Sequence, residues 1–270
     1  MKLGVVVVHR NRPDLVEGLL GQLPIVLMMA KRNWPFEETV LVVDCGSEPE
    51  NRVNYPHYWY PDPGFDGGKT RGFIEGMKLL PPQDYYLLLH PDVDFSSDLS
   101  ALKQMLRVME RNRGVGLVSP RTPNPFFGME SVGSDPTWHR AAAADFLAWL
   151  VRGEAYRNVG PLDGRFAHGW GTNADYPYRL WRRGWSVAYC DAARVNHLGG
   201  TTYGAEGTET KSRRQYLLDA RLEAWTGLCE KYGADWGELM SEVLPVDVEV
   251  NAFMLLWDIW SQEAFIPEGV

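Results

Sequence analysis

The sequence predicts an α/β fold: a mixed, mostly parallel sheet flanked by helices, followed by a C-terminal helical appendage. Three observations carry this expectation. Short runs in which nearly every residue is apolar, Leu3 to Val8, Thr39 to Val43 and Tyr85 to Leu89, read as strands buried on both faces, the pattern of a sheet covered by helices on each side. Segments with apolar residues at helical spacing separate these runs. From Thr208 onward the strand signals stop and tryptophan-bearing helical patterns take over.

Taken in order, Leu3 to Val8 is β-branched and continuous, as a central strand requires. His9-Arg10-Asn11-Arg12-Pro13 turns the chain, and Pro13 opens a helix carrying Leu15, Leu19, Leu20 and Leu23. The strand Thr39 to Val43 ends in Asp44-Cys45-Gly46-Ser47. An acid at that point either accepts hydrogen bonds from a ligand at the strand's carboxyl end or opens a turn before Gly46. After a Pro/Gly-rich stretch, Lys69 to Leu80 regains helical character through Phe73, Met77 and Leu80. Gly67-Gly68-Lys69-Thr70-Arg71-Gly72 lacks the spacing of a P-loop. Arg71 is either an exposed helix arginine or a contact for a diphosphate.

Tyr85 to Leu89 ends in His90-Pro91-Asp92-Val93-Asp94. Carboxylates two residues apart at a strand end suit one hard divalent cation, and they equally suit a polar strand terminus. A helix from about Leu99 to Arg111 and a strand Val115 to Pro120 follow. The loop Thr122 to His139 is expected to act as a lid ordered by ligand. Beyond the apolar segment Ala141 to Val151, a turn at Gly160 to Phe166 leads to Gly169 to Asp175, where a helix begins that stops at Gly184. Asp175 in its first turn is favourable for the helix dipole. A last strand, Trp185 to Tyr189, precedes Val195 to Gly200, in which His197 beside glycines is a candidate ligand. Tail helices are expected over Lys211 to Tyr232 and Val248 to Glu263, with Trp225, Trp236, Trp257 and Trp260 as a packing face or an oligomer contact.

At 270 residues, with a net charge of −8, the chain can bury a large core and lacks the basic face that a nucleic-acid partner needs. Cys45, Cys190 and Cys229 have no metal spacing and fit a reducing compartment. The apolar run at the start is too short for a signal peptide, and no apolar run approaches the ~20 residues that span a bilayer. The expectation is a cytoplasmic protein without a transmembrane segment.

In register, these motifs resemble the inverting, family 2 type of nucleotide-sugar glycosyltransferase with the GT-A fold, over about residues 3 to 204. Val5 to Pro13 is similar to the family's opening strand and turn, and Val42 to Ser47 to its base-binding strand end. Pro63 to Gly72 is similar to the loop and helix under the diphosphate. Leu89-His90-Pro91-Asp92-Val93 resembles a version of the metal-binding Asp-x-Asp motif. Ala143 to Phe166 resembles the acceptor-side half, Asp175 to Leu180 the Asp-Leu-x-x-Arg-Leu helix, and His197 to Thr201 the closing His-x-Gly-Gly-Ser.

The resemblance implies a 1–204 transferase domain, a 205–270 helical appendage, a UDP- or dTDP-sugar donor and a glycan or protein acceptor. It places His9, Arg10, Asp44, Arg71 and Asp92 on the donor, and Asp92, His197 and His90 at a divalent metal. His90 replaces the first acid of the motif, which favours Mn²⁺ over Mg²⁺. The family's base falls on Asn173, which cannot accept a proton, so Asp175 is the remaining acid in that turn for an inverting reaction. Trp170 to Asn173 is also similar to a turn of the retaining polypeptide N-acetylgalactosaminyltransferases, where Asn173 would be a donor-side ligand. A nucleotide-sugar binder without catalysis is the third class, and a homo-oligomer through the C-terminal helices is a possible assembly.

Overall fold

The computed structural model describes residues 1–55, 57–59, 68–123, 137–198, 212–248 and 251–262. At its centre is β1 (Lys2–His9), buried at every position from Leu3 to His9. It pairs in parallel with β2 (Glu37–Asp44) and with β4 (Tyr85–Leu89), and β3 (His57–Trp59) continues the sheet beyond β2. The direction then alternates. β8 (Ala148–Arg152) runs antiparallel to β4 and to β6 (Val115–Arg121), while β9 (Ser186–Arg194) is parallel to β6 and antiparallel to β7 (His139–Arg140). The order is β3-β2-β1-β4-β8-β6-β9-β7, the mixed, mostly parallel sheet that the apolar runs predict. A separate two-stranded ribbon joins β5 (Val93–Asp94) to β10 (Asn196–His197).

Alternation along each strand divides the core in two. Leu3, Val5, Val7, Leu87 and Leu89 face one side, where α1 (Pro13–Lys31) and α3 (Ala101–Arg111) pack. Val6, Val8, Tyr86 and Leu88 face the other, covered by α2 (Lys69–Leu79), α4 (Gly153–Val159) and α5 (Thr172–Arg182). The approach of α2 is close because Gly76 has no side chain: a methyl group there would run into Val6 and lie 3.1 Å from Val43. Since β1, β2 and β4 point the same way, His9, Asp44 and the His90–Asp92 segment emerge at one edge, with His9 directly opposite Asp44 in the ladder.

Several expectations are corrected. α5 starts at Thr172 rather than Asp175, β9 extends to Arg194, and the apolar segment from Ala141 becomes strand only at Ala148. At 19 residues α1 is long and apolar enough, by length and composition, to cross a bilayer, which a search for unbroken apolar runs misses. Its stripe of Val16, Leu19, Leu23, Val26, Leu27 and Ala30 is buried in the core against the sheet and α3.

The tail forms α6 (Arg213–Tyr232), α7 (Trp236–Ser241) and α8 (Ala252–Ser261), whose apolar residues belong to the same core as Trp149, Phe166 and Tyr176. Its tryptophans meet one another inside the chain: Trp236 lies 6.1 Å from Trp225 and 5.9 Å from Trp260, and Trp260 stacks on Trp170 at 6.2 Å. They serve packing, the first of the two roles expected for them. Most of the expected lid, 124–136, and Gly199 to Thr201 lie outside the described residues.

Candidate functional site

At the end of β2, one oxygen of Asp44 does what a turn-opening Asp does. Oδ1 accepts from the Gly46 and Ser47 N–H groups at 3.1 and 2.7 Å, and Gly46 turns the chain with φ +90°. The second oxygen faces His9 Nε2 at 3.6 Å, with both side chains buried. Asn11, in the left-handed region at φ 54°, clasps the two loops together. Its N–H donates to Ser47 Oγ and its Oδ1 accepts from Glu48 N–H, both at 2.8 Å. Arg10 leaves β1 at this edge and carries its charge beside Cys45, whose buried thiol is pushed up to about 12 and is no nucleophile.

At the end of β4, the His90 N–H donates to Leu147 O at 3.0 Å and the chain turns tightly, Val93 N–H returning to His90 O. The β5–β10 ribbon and a Leu198 N–H to Asp92 O bond of 3.1 Å then bring His197 against this turn. Asp92 sits between two imidazoles: His197 Nε2 is 3.2 Å from Oδ2 and His90 Nδ1 is 3.7 Å from Oδ1. Burial opposes charge on all three. It lowers His90 to about 4, helped by the positive Lys69. For Asp92 the close contact with His197, with His90 nearby, outweighs burial and holds the carboxyl well below the usual range. For His197 the bond to Asp92 outweighs burial and raises it. Asp94 does not join them. Its oxygens are taken by Gln22, Ser96 and Asn196 at 2.6 to 3.1 Å, which makes it a pin for the turn.

Whether these residues suit a metal depends on their spacing. Among the described residues no three acids, histidines or cysteines converge on one point. Two do stand as neighbours in an octahedral shell would, about 3 Å apart for bonds of about 2.1 Å: Asp92 Oδ2 and His197 Nε2, at 3.2 Å. A small divalent ion completes such a pair with phosphate oxygens and water. His90 is held neutral, the form that ligates, and its buried Nε2 has no hydrogen-bond partner among the described residues.

Two further charges, which the sequence reading did not single out, complete the cleft. Lys69, the first residue of α2, extends over the Phe146 ring at 5.8 Å beneath Gly169. Gly169 has φ +89°, and a Cβ there would collide with the lysine stem. Burial lowers Lys69 to about 8 against the pull of Asp145, Asp92 and Glu223. Asp145, entering β8, is raised by burial, which outweighs the opposing effect of His197 and Lys69. The sequence did hold a signal for Asp145, a lone acid within the apolar segment Ala141 to Val151. Helix α6 forms a wall. Glu223 accepts from His168 N–H at 2.8 Å and holds His168 Nδ1 at 2.9 Å, and the Tyr216 ring packs 5.5 Å from His168.

Compared by sequence, the chain matches no family model and no curated relative. Compared by structure, it superposes on GalNAc-T7 solved with UDP, GalNAc and Mn²⁺, with TM-score 0.57 and 13% identity over 95% of this chain. It also superposes on Staphylococcus aureus TarS 1–349, with TM-score 0.54 and 13% identity over 90% of this chain and 70% of the other. The catalytic domain of Drosophila β1,4-galactosyltransferase 7, solved with xylobiose, gives TM-score 0.51 and 15% identity over 82% and 79%. This chain has the GT-A fold. It spans 55% of the GalNAc-T7 chain.

Within the GT-A frame, the remaining predicted residues separate. His9, Arg10, Asp44, His90, Asp92 and His197 share the carboxyl edge of the sheet. Arg71 bends toward the 160–166 turn, its Nε donating to Gly164 O at 3.2 Å, while Lys69 is the α2 cation inside the cleft. Asn173 is buried, and its Oδ1 accepts from Phe146 N–H at 2.9 Å. Asp175 corrects the expectation of a base. It is fully buried, Oδ1 takes Lys231 Nζ and Tyr232 OH at 2.6 Å, and Oδ2 takes Arg179 Nε at 2.9 Å. Both oxygens are committed to a lysine, an arginine and a phenol, so this acid anchors α6 to α5.

Proposed function

We propose that this protein is a glycosyltransferase that moves a sugar from a nucleoside-diphosphate-sugar, UDP- or dTDP-linked, to a hydroxyl of a glycan or protein acceptor. The observation that carries this is the single sheet edge where Asp44 with His9 stands at one strand end and Asp92 with His197 at another. That is the place where an open α/β sheet binds its ligand. Asp44 Oδ2 accepts from the base or ribose. Lys69 and Arg10 are cations for the diphosphate. GalNAc-T7 solved with UDP and Mn²⁺ on the same fold supports the donor class and a divalent ion. Asp92 and His197 would hold the ion, with His90 beside them, and imidazole ligands favour Mn²⁺ over Mg²⁺. When bound, such an ion neutralises charge on the departing diphosphate.

Sugar transfer with inversion is the primary reading. Retention is the second, favoured by one observation: Asn173 stands where the resemblance expects a carboxylate. Titration calorimetry of UDP with and without Mn²⁺ tests the donor site. Tight binding that depends on Mn²⁺ is expected, and equal affinity in both buffers would remove the metal from the function. The anomeric configuration of the product, read by NMR, separates inversion from retention.

A further inference from the structure

The geometry points to Asp145 as the group that takes the acceptor's proton, standing in for the carboxylate absent at position 173. This deepens the glycosyltransferase reading and rests on it. Three features place Asp145. β8 runs antiparallel to β4, and the His90 N–H to Leu147 O bond carries their pairing past the end of β4. The residue that leads into β8 therefore lies at the same end of the sheet as Asp92. Next, Asn173 spends its Oδ1 on the N–H of Phe146, so Asp145 adjoins the position from which the missing base would act. Finally, the backbone of Asp145 is pinned on both sides. Its N–H donates to Tyr189 OH at 2.7 Å, and its carbonyl accepts from Trp149 Nε1 at 2.6 Å and Leu147 N–H at 2.9 Å. A backbone so held carries its carboxylate on a fixed base that need not reorganise at the step.

The surroundings suit a proton acceptor. Lys69 from α2 and His197 from β10 bring positive charge toward the carboxylate, and Asp92 brings the opposite influence. Burial sets Asp145 above an ordinary aspartate, and a higher pKa makes a stronger base. The residue as a whole keeps some exposed surface, which leaves a way in for an acceptor. In the step, the acceptor oxygen forms a bond to the anomeric carbon and its proton passes to an Asp145 carboxylate oxygen. The bond from the anomeric carbon to the diphosphate oxygen breaks, and its electron pair leaves with the nucleoside diphosphate.

The test compares two acceptors that differ in needing a base. Wild type and Asp145→Asn are incubated with Mn²⁺ and UDP-hexoses in water alone, and again with azide, an anionic nucleophile that carries no proton. Asp145→Asn is expected to melt as wild type does and to keep its UDP affinity within about threefold. Its transfer to water should fall by about 10² to 10⁴, the usual contribution of a general base, while glycosyl azide still forms at a rate within about tenfold of wild type. If Asp145→Asn does not fold, Asp145→Ser takes its place. Transfer to water within threefold of wild type, or an equal loss with both acceptors, would overturn the assignment. So would a raised KM for donor with kcat unchanged, which marks a donor-binding residue. A wild-type protein that binds neither UDP nor dTDP and consumes no UDP- or dTDP-hexose overturns the glycosyltransferase reading as a whole, which distinguishes that failure from the failure of Asp145 alone.

Discussion

Asp92 and Asp175 are both buried aspartates that the sequence presents in similar terms, acids at the mouth of a turn or helix, yet they end in opposite situations. Asp175 is enclosed by Arg179, Lys231 and Tyr232. Both of its oxygens are taken by these three side chains, so the acid has its partners within the fold. Asp92 faces imidazoles at 3.2 and 3.7 Å, His197 being 37% exposed and His90 held neutral at about 4. One acid closes a helix contact; the other stands between two histidines at the edge of the sheet. The difference lies in which partners each acid meets, and those partners come from elements distant in the chain.

This contrast can be broken, and the largest effect is expected at the anchor. Asp175→Ala should lower unfolding free energy by about 3 kcal/mol in urea titrations, since Arg179 would lose its carboxylate and Lys231 would keep only Asp163. If its stability stayed within about 1 kcal/mol of wild type, Asp175 would not be the anchor. Asp92→Asn should do the reverse. Its urea midpoint should hold near wild type, while Mn²⁺-dependent UDP affinity measured by calorimetry falls by at least the ~100-fold that even an outer partner of a metal ligand can cost. Unaltered affinity in that variant would move the ion elsewhere.

Smaller effects sharpen the comparison. Lys69→Met removes a cation from the diphosphate side without touching the anchor, and UDP affinity should drop about tenfold, the size of one charge-assisted hydrogen bond. Arg71→Met, whose guanidinium turns to Gly164, should leave that affinity near wild type. Glu223→Gln weakens the two bonds to His168, with an expected loss of about 1 kcal/mol in thermal or urea unfolding. A loss comparable to that of Asp175→Ala would mean that α6 is held mainly at the cleft wall rather than at Asp175.

The presence of the central strands and their mostly parallel sheet were legible in the chain itself, because complete burial on both faces leaves a local mark, the uniform apolar runs of Leu3 to Val8 and Tyr85 to Leu89. The acids that close those runs could be read the same way. Asp44 and Asp92 are where strand geometry delivers them, and His197 joins through a ribbon whose histidine already stood out beside glycines.

Tertiary structure alone decided the rest. Lys231 reaches Asp175 across 56 residues and Glu223 reaches His168 across 55, so neither the sealing of one nor the clamping of the other can be inferred from neighbours in sequence. Helix α6 reads as an appendage by composition, yet it supplies one wall of the cleft. Lys69 follows glycines that lack P-loop spacing, and what places it is the space left by Gly169 and the face of Phe146, both distant in sequence. Whether a charged side chain serves the core or the ligand depends on the counter-charges that folding brings to it, and these are contacts between distant elements that periodicity and spacing do not encode.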